Sequence, residues 1–279
     1  MEQALLTRAQ LKDRAKDALE GNYKKIIPVI FLTGLMTLAI QLTVEFFASF
    51  FFSLILIGSD LATSGMSPDQ LVVLLQNTTY LEEYMPVYSV IDYVIQAIIS
   101  AFTSVFNVGI TFMCLNIACG RTVQMSDLYY GFRAQFKKSL GISAVFVAAS
   151  QLYLIPTQLI QSYAQQLPTQ TNTDSAQILF ALCLLLIGAA VYLPIGLAIS
   201  QSYMLLLDVP ERSVSDILKL SIRIMRGHKM RLFLLELSFL PLMFLGFLSF
   251  GIGNLWIMPY RNVVYAFFYL NLMRSQASY

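Results

Sequence analysis

Between Lys25 and Arg121 this 279-residue chain carries no lysine or arginine, a gap of 95 residues. The gap is dense in Phe, Ile, Leu and Val, and its only charges are acidic: Glu45, Asp60, Asp69, Glu82, Glu83 and Asp92. Basic loops of membrane proteins stay on the cytoplasmic side, so a stretch that crosses outward and returns has a reason to lose its cations. A soluble fold has no comparable reason. Composition agrees. Hydrophobic residues make up 57% and charged residues 12%, and mean hydropathy is +0.66. Soluble domains carry about 25% charged residues. The deficit fits a bilayer, where an ionised side chain at mid-depth costs about 3 kcal/mol on insertion scales. The net charge of +2 hides the asymmetry. The basic residues lie where topology would put them, and no nucleic-acid partner is expected.

The pattern predicts an all-α polytopic membrane bundle, one domain over residues 1–279, with six transmembrane helices at about 26–57, 90–118, 140–160, 178–207, 232–248 and 256–273. Seventeen of the 18 basic residues then fall on the cytoplasmic side, with Arg261 the exception. The spans form three hairpins. Each is preceded by a cytoplasmic amphipathic or basic segment, at GNYKKIIPVIFL (21–32), FRAQFKKSLGISAVF (132–146) and MRGHKMRLFLLELSF (225–239).

Local signals fill in this frame. Thr7 reads as a helix cap and Gly21-Asn22 as the stop. Leu11, Ala15, Ala18 and Leu19 between them form a narrow apolar face, which predicts a helix lying on the cytoplasmic membrane surface rather than a secretory signal. Ser67-Pro68-Asp69 starts a short outer helix over 71–76. Pro194 should kink the fourth span, as membrane helices tolerate. Residues 208–212 form a turn, and Ser213 with Asp216 starts a helix. Cys114, Cys119 and Cys183 sit in apolar runs and read as packing residues, without disulfide or metal-site flanks.

Catalytic signatures are missing. His228 is the one histidine, and neither a G-x-S-x-G elbow nor a phosphate-binding G-x-x-x-x-G-K-[ST] loop occurs. Asp127 and Asp208 read as turn residues. No enzyme activity, metal or cofactor is expected. Three ionisable residues lie in or against predicted spans: Glu45, Glu236 and Arg261. Such residues are functional candidates by default. Depth along the spans pairs Arg261 with Glu45, or with Asp92, and not with Glu236. That pairing reads either as a structural ion pair or as an anion or carboxylate site at the outer mouth. Lys219, Arg223, Arg226, Lys229 and Arg231 would meet the inner leaflet. Each could gain about 1 kcal/mol from anionic lipid headgroups, although positive-inside topology alone also explains them.

The runs SYMLLLDVPERSVSDILKLSIRIMRGHKMRLFLLELSF and FGIGNLWIMPYRNVVYAFFYLNL carry an Asp208-x-Pro210 turn, Ser221 with Met225-x-Gly227-x-Lys229, Leu237-Ser238-Phe239, and Pro259-Tyr260. Together with LKDRAKDALEGNYKK near the N-terminus, they resemble the bacterial integral membrane proteins of domain-of-unknown-function family 975. The resemblance implies a six-span fold in the bacterial cytoplasmic membrane with both termini cytoplasmic. It also implies a distant similarity to the membrane domain of some glycerophosphodiester phosphodiesterases, and no activity. The expected function is a non-enzymatic membrane protein engaging a lipid, an amphipathic peptide or a partner membrane protein, in an accessory, export or immunity-type role. The alternative is a secondary transporter with a site near Glu45, Arg261 and the kink at Pro194.

Overall fold

A computed structural model describes residues 5–64, 78–150 and 174–277, and every regular element among them is helical. The expected outer helix at 71–76 and the outer end of the third span lie outside the described residues. In chain order the helices are α1 (Arg8–Leu19), α2 (Tyr23–Ser64), α3 (Thr78–Thr103), α4 (Val105–Ala118), a 3-10 turn (Met125–Tyr129) leading into α5 (Tyr130–Arg133), and α6 (136–150). There follow α7 (Asp174–Ile199), α8 (Ser202–Asp208), α9 (Val214–Ile224), α10 (Lys229–Leu237), α11 (Leu240–Leu248) and α12 (Asn254–Ala277). Four stretches are long and apolar enough to cross a membrane: Tyr23–Ile55, Ile91–Ala118, Leu186–Asp208 and Lys229–Leu248.

The chain divides into two compact units, Met1–Leu32 with Ser104–Tyr279, and Thr33–Thr103. The second unit exposes apolar side chains all round α2, from Leu35 through Phe46 to Ile55, with Phe46 64% exposed. Such a surface is a liability in water and is normal against lipid.

In the first unit α1 starts as its sequence dictates. Thr7 Oγ1 accepts from the Gln10 N–H at 3.3 Å, and the Gln10 Oε1 accepts from the Thr7 N–H at 2.9 Å, completing a capping box. The apolar face is not where the sequence put it. Leu11, Ala15 and Leu19 are fully buried against α12 and α4. Burying each leucine is worth about 1.5–3 kcal/mol. The face expected to meet the membrane surface is therefore covered by protein.

Helix α4 forms the centre of this unit. Val105, Val108, Met113 and Cys114 are fully buried, and the 3-10 turn and α5 lie across it. Gly109 makes that approach possible: a Cβ there would stand 1.9 Å from the Leu128 carbonyl oxygen. Phe112 stacks on Tyr130 at 4.2 Å between centroids, and Phe106 meets Phe132 edge-on at 4.8 Å. On the other side, Ser213 Oγ accepts from the Asp216 N–H at 3.2 Å and caps α9 as expected. Ser221 Oγ then donates to the Ala198 carbonyl at 2.9 Å, and Tyr269 Oη donates to Asp208 Oδ2 at 2.9 Å. These bonds fasten α9 to the end of α7, and the 208–212 turn to α12.

Several predicted spans are broken rods. The fourth continues helically past Pro194 and is interrupted at Ser200-Gln201, and the fifth is interrupted at Ser238-Phe239. The six-residue offset from Pro194 shows that proline is not what ends α7.

Candidate functional site: a polar cavity beside two broken helices

The tight turn between α11 and α12 sets the geometry of the site. Gly251 adopts φ +85°, and its N–H donates to the Gly246 carbonyl at 3.0 Å. The Gly253 N–H donates to Ser249 Oγ at 2.8 Å. A Cβ on Gly246 would lie 2.3 Å from Asn254 Oδ1, so a side chain there would have to displace the Asn254 amide. The turn lays α12 back along α11, and Arg261 Nη1 reaches Met243 Sδ at 3.8 Å. The Arg261 guanidinium also sits 5.5 Å from the centre of the Tyr265 ring, a cation–π contact.

Arg261 opens onto a cavity of about 290 Å³. Glu236 of α10 lines it, and the Arg261 charge acts on that carboxyl. The rest of the wall mixes polar and apolar groups: Asn107, Ile110 and Thr111 from α4, Ser200 and Gln201 from the interruption after α7, Tyr203 and Met204 from α8, Leu232 from α10, and Asn262 and Tyr265 from α12. Gln201 is 3% exposed, and Tyr203 Oη is 3.1 Å from Ser143 Oγ. Tyr265 Oη is buried and has no hydrogen-bond partner among the described residues. The cavity thus presents one cation, one carboxyl and several amide and hydroxyl groups to the same small space.

This arrangement corrects the expected pairing. Arg261 shares its site with Glu236, the partner the depth count excluded; Glu45 and Asp92 belong to the other unit. The depth count failed because it ran in from opposite ends of two spans. Counted from the turn at Gly251, Arg261 is ten residues along α12 and Glu236 is fifteen residues back. The offset is five residues, about 7 Å of helix rise, within reach of an arginine side chain. Glu45 has other partners inside its own unit: Gln41 Nε2 donates to its Oε1 at 3.0 Å, and Gln96 Nε2 donates to the same oxygen. Asp92 lies one turn before Gln96 on α3, partly exposed. The polar residues missed in the sequence, Asn107, Gln201 and Asn262, did carry a signal, since each is an amide set in an apolar run.

The basic segment separates into parts. Lys219 and Arg223 join Arg212, Asp216 and Leu220 around a groove of about 200 Å³. Arg226 is exposed and Lys229 is partly exposed. Arg231 turns away from the others. Its Nη2 donates to the Leu6 carbonyl and, at 3.2 Å, to Asn271 Oδ1, and its guanidinium lies 5.4 Å from the Phe268 ring. It clasps the N-terminal segment to α12. His228, beside it, has its pKa lowered by burial and then by the Arg231 charge. Among the described residues no cluster of His, Cys, Asp or Glu is placed to hold a metal ion, and all three cysteines are free thiols.

A family model described as a protein of unknown function, DUF975, matches residues 1–276. The chain belongs to the DUF975 family. The match runs through both units and takes in every residue of the cavity wall. No curated protein and no solved structure matches the chain. For this DUF975 chain, function has to be argued from its own side chains.

Proposed function

We propose that this protein is a non-catalytic, six-span membrane protein that holds a ligand with a charged, hydrogen-bonding head in the cavity between Glu236 and Arg261. Lipid and amphipathic-peptide ligands fit this reading, with the head in the cavity and the apolar part along the lipid-facing helices. The observation that carries it is the cavity wall: a carboxyl, a guanidinium and the amides Asn107, Gln201 and Asn262 share one space among helices whose other faces are apolar. Opposed charges of this kind complement a zwitterionic or mixed-polarity head. In this reading the basic residues mark the cytoplasmic face of a bacterial inner membrane, where both termini lie. Protein purified in mild detergent should keep a bound species visible by native mass spectrometry. Glu236→Gln and Arg261→Gln should each lose it while retaining the wild-type melting midpoint to within a few degrees. Repeated absence of any bound species from the wild type would remove the reading.

A second reading, secondary transport, has a specific observation in its favour. The cavity lies beside two helix interruptions, at Ser200-Gln201 and just past Glu236 at Ser238-Phe239. Discontinuous helices build substrate sites in many transporters. In proteoliposomes, transport would show as ligand flux abolished by Glu236→Gln, whereas a static binder would bind without flux.

A further inference from the structure

We infer that Lys12, on the N-terminal helix, is a positioning residue for the Glu236–Arg261 cavity: it ties the broken end of α10 to α12 and so fixes how far apart the two charges stand. The inference rests on the ligand-holding role proposed above for that cavity.

The break in the fifth span leaves carbonyls without helical partners. Pro241 has no N–H for the Leu237 carbonyl, and no backbone N–H among the described residues reaches the Ser238 carbonyl. Lys12 Nζ, 226 positions away in the chain, donates to the Ser238 carbonyl at 3.2 Å. A cation is well placed there, because the end of α10 carries the negative pole of its helix dipole. The same ammonium lies 4.6 Å from the centre of the Phe239 ring. Phe239 is fully buried and meets Tyr260 of α12 edge-on, 5.6 Å between centroids. Tyr260 Oη stands 3.5 Å from the Lys12 carbonyl oxygen, a long hydrogen bond that closes the ring of contacts. Lys12, Phe239 and Tyr260 thus form a knot that joins α1, α12 and the break after α10.

This knot adjoins both charges of the cavity. The Phe239 N–H donates to the Glu236 carbonyl at 2.9 Å, and Tyr260 immediately precedes Arg261. None of the three knot residues lines the cavity, so Lys12 acts on a ligand only through the backbone that carries Glu236 and Arg261. Helix α1 is itself anchored. Leu11, Ala15 and Leu19 are fully buried, and the Leu6 N–H donates to Asn271 Oδ1 at 3.0 Å. The N-terminal helix therefore supplies a fixed point from which one ammonium holds the two sides of the site together.

The test uses the full-length protein in mild detergent and two readouts. One is amide hydrogen exchange by mass spectrometry. The other is retention of the co-purified species by native mass spectrometry. Lys12→Met keeps most of the side-chain stem and removes the donor and its charge. It should speed exchange in segments 236–243 and 258–265 by about tenfold, the loss of one charge-assisted bond. Exchange in segment 213–224, on α9, should stay as in the wild type. The melting midpoint should hold to within a few degrees, while the retained species falls by about tenfold. Lys12→Arg keeps a charged donor and should recover most of both losses, which a lysine serving only as packing would not show. Phe239→Leu removes the ring beneath the ammonium and should shift exchange in the same two segments, so the knot is tested even if Lys12→Met does not fold. The inference is overturned if both Lys12→Met and Phe239→Leu exchange as wild type at 236–243, or if faster exchange spreads equally to 213–224. It is also overturned if Lys12→Met retains the species undiminished, or if Lys12→Arg recovers neither readout. If the wild type itself retains no species, the ligand reading fails by itself, and the exchange pattern alone decides whether Lys12 holds the two charges in place.

Discussion

Single side chains in this protein divide between those that set distances and those that fasten segments. Gly109 sets a distance. An added methyl at 1.9 Å from the Leu128 carbonyl cannot be absorbed by a side-chain rotation, because the opposing atom is backbone. Gly109→Ala should destabilise the protein by about 3 kcal/mol or force the 3-10 turn off α4, read as a lowered midpoint in a detergent melt. Gly34→Ala is the matching control. Nothing lies within 4 Å of a Cβ there, and alanine favours helix over glycine by about 0.5–1 kcal/mol, so the midpoint should hold or rise. Arg231 fastens. Its removal frees the Leu6 carbonyl and one partner of Asn271, and Arg231→Met should speed proteolytic trimming of the N-terminal segment several-fold at unchanged expression. Nothing in the sequence separates Arg231 from Arg226 or Lys229, since all three are cations at a span's inner end. Their difference arises only when α12 brings Asn271 and Phe268 beside one of them.

At the level of helices, what the sequence reveals is what local chemistry decides. Thr7 with Gln10 and Ser213 with Asp216 cap their helices within three residues, so both starts are legible. The interruptions at Ser200-Gln201 and Ser238-Phe239 are different. The break at Ser238-Phe239 is marked by Pro241 in the first turn of α11, which has no N–H for the Leu237 carbonyl four residues back. The break at Ser200-Gln201 holds neither proline nor glycine, and Pro194 lies within α7. Ser200 and Ser238 also donate to carbonyls three residues back, Leu197 at 2.9 Å and Leu235 at 2.6 Å, local bonds that compete with the helical ladder. Because these rods are broken, depth could not be counted along straight spans, and the Glu236–Arg261 site stayed hidden. The turn after α8 is held by two long-range bonds, Tyr269 Oη to Asp208 Oδ2 and Lys138 Nζ to the Pro210 carbonyl, with the tyrosine 1% exposed. Tyr269→Phe removes a donor to a charged acceptor and should cost about 1.5–3 kcal/mol. Asp208→Asn keeps an acceptor in place and should cost less. Melts of both variants, compared at one pH, check that order.

For the whole molecule, sidedness is the property most open to direct test, and the charges predict it. Helix α12 shows how a long helix can fall outside a hydropathy count. It is 24 residues long but is not among the four stretches apolar enough to qualify. Its polar residues gather at cavities, Arg261 and Asn262 at one and Asn271 and Arg274 at another, while Val263, Val264, Phe268 and Leu272 are fully buried. A helix surrounded by others need not be greasy on every side. If α12 crosses, the turn at Gly251 lies opposite the face that carries Arg121, and the native thiols make this measurable. Cys119 is exposed at the end of α4, two residues before Arg121, and Ile252 is 61% exposed in the turn. With Cys114 and Cys183 replaced by alanine, Cys119 should react with a membrane-impermeant maleimide only after the inner membrane is opened. In a cysteine-free background, Ile252→Cys should react in intact spheroplasts. The reverse result at both positions would invert the orientation, and reaction of both from one side would mean that an odd number of crossings does not separate them. Only the reversed pattern would mean that the cationic segments do not mark the cytoplasm.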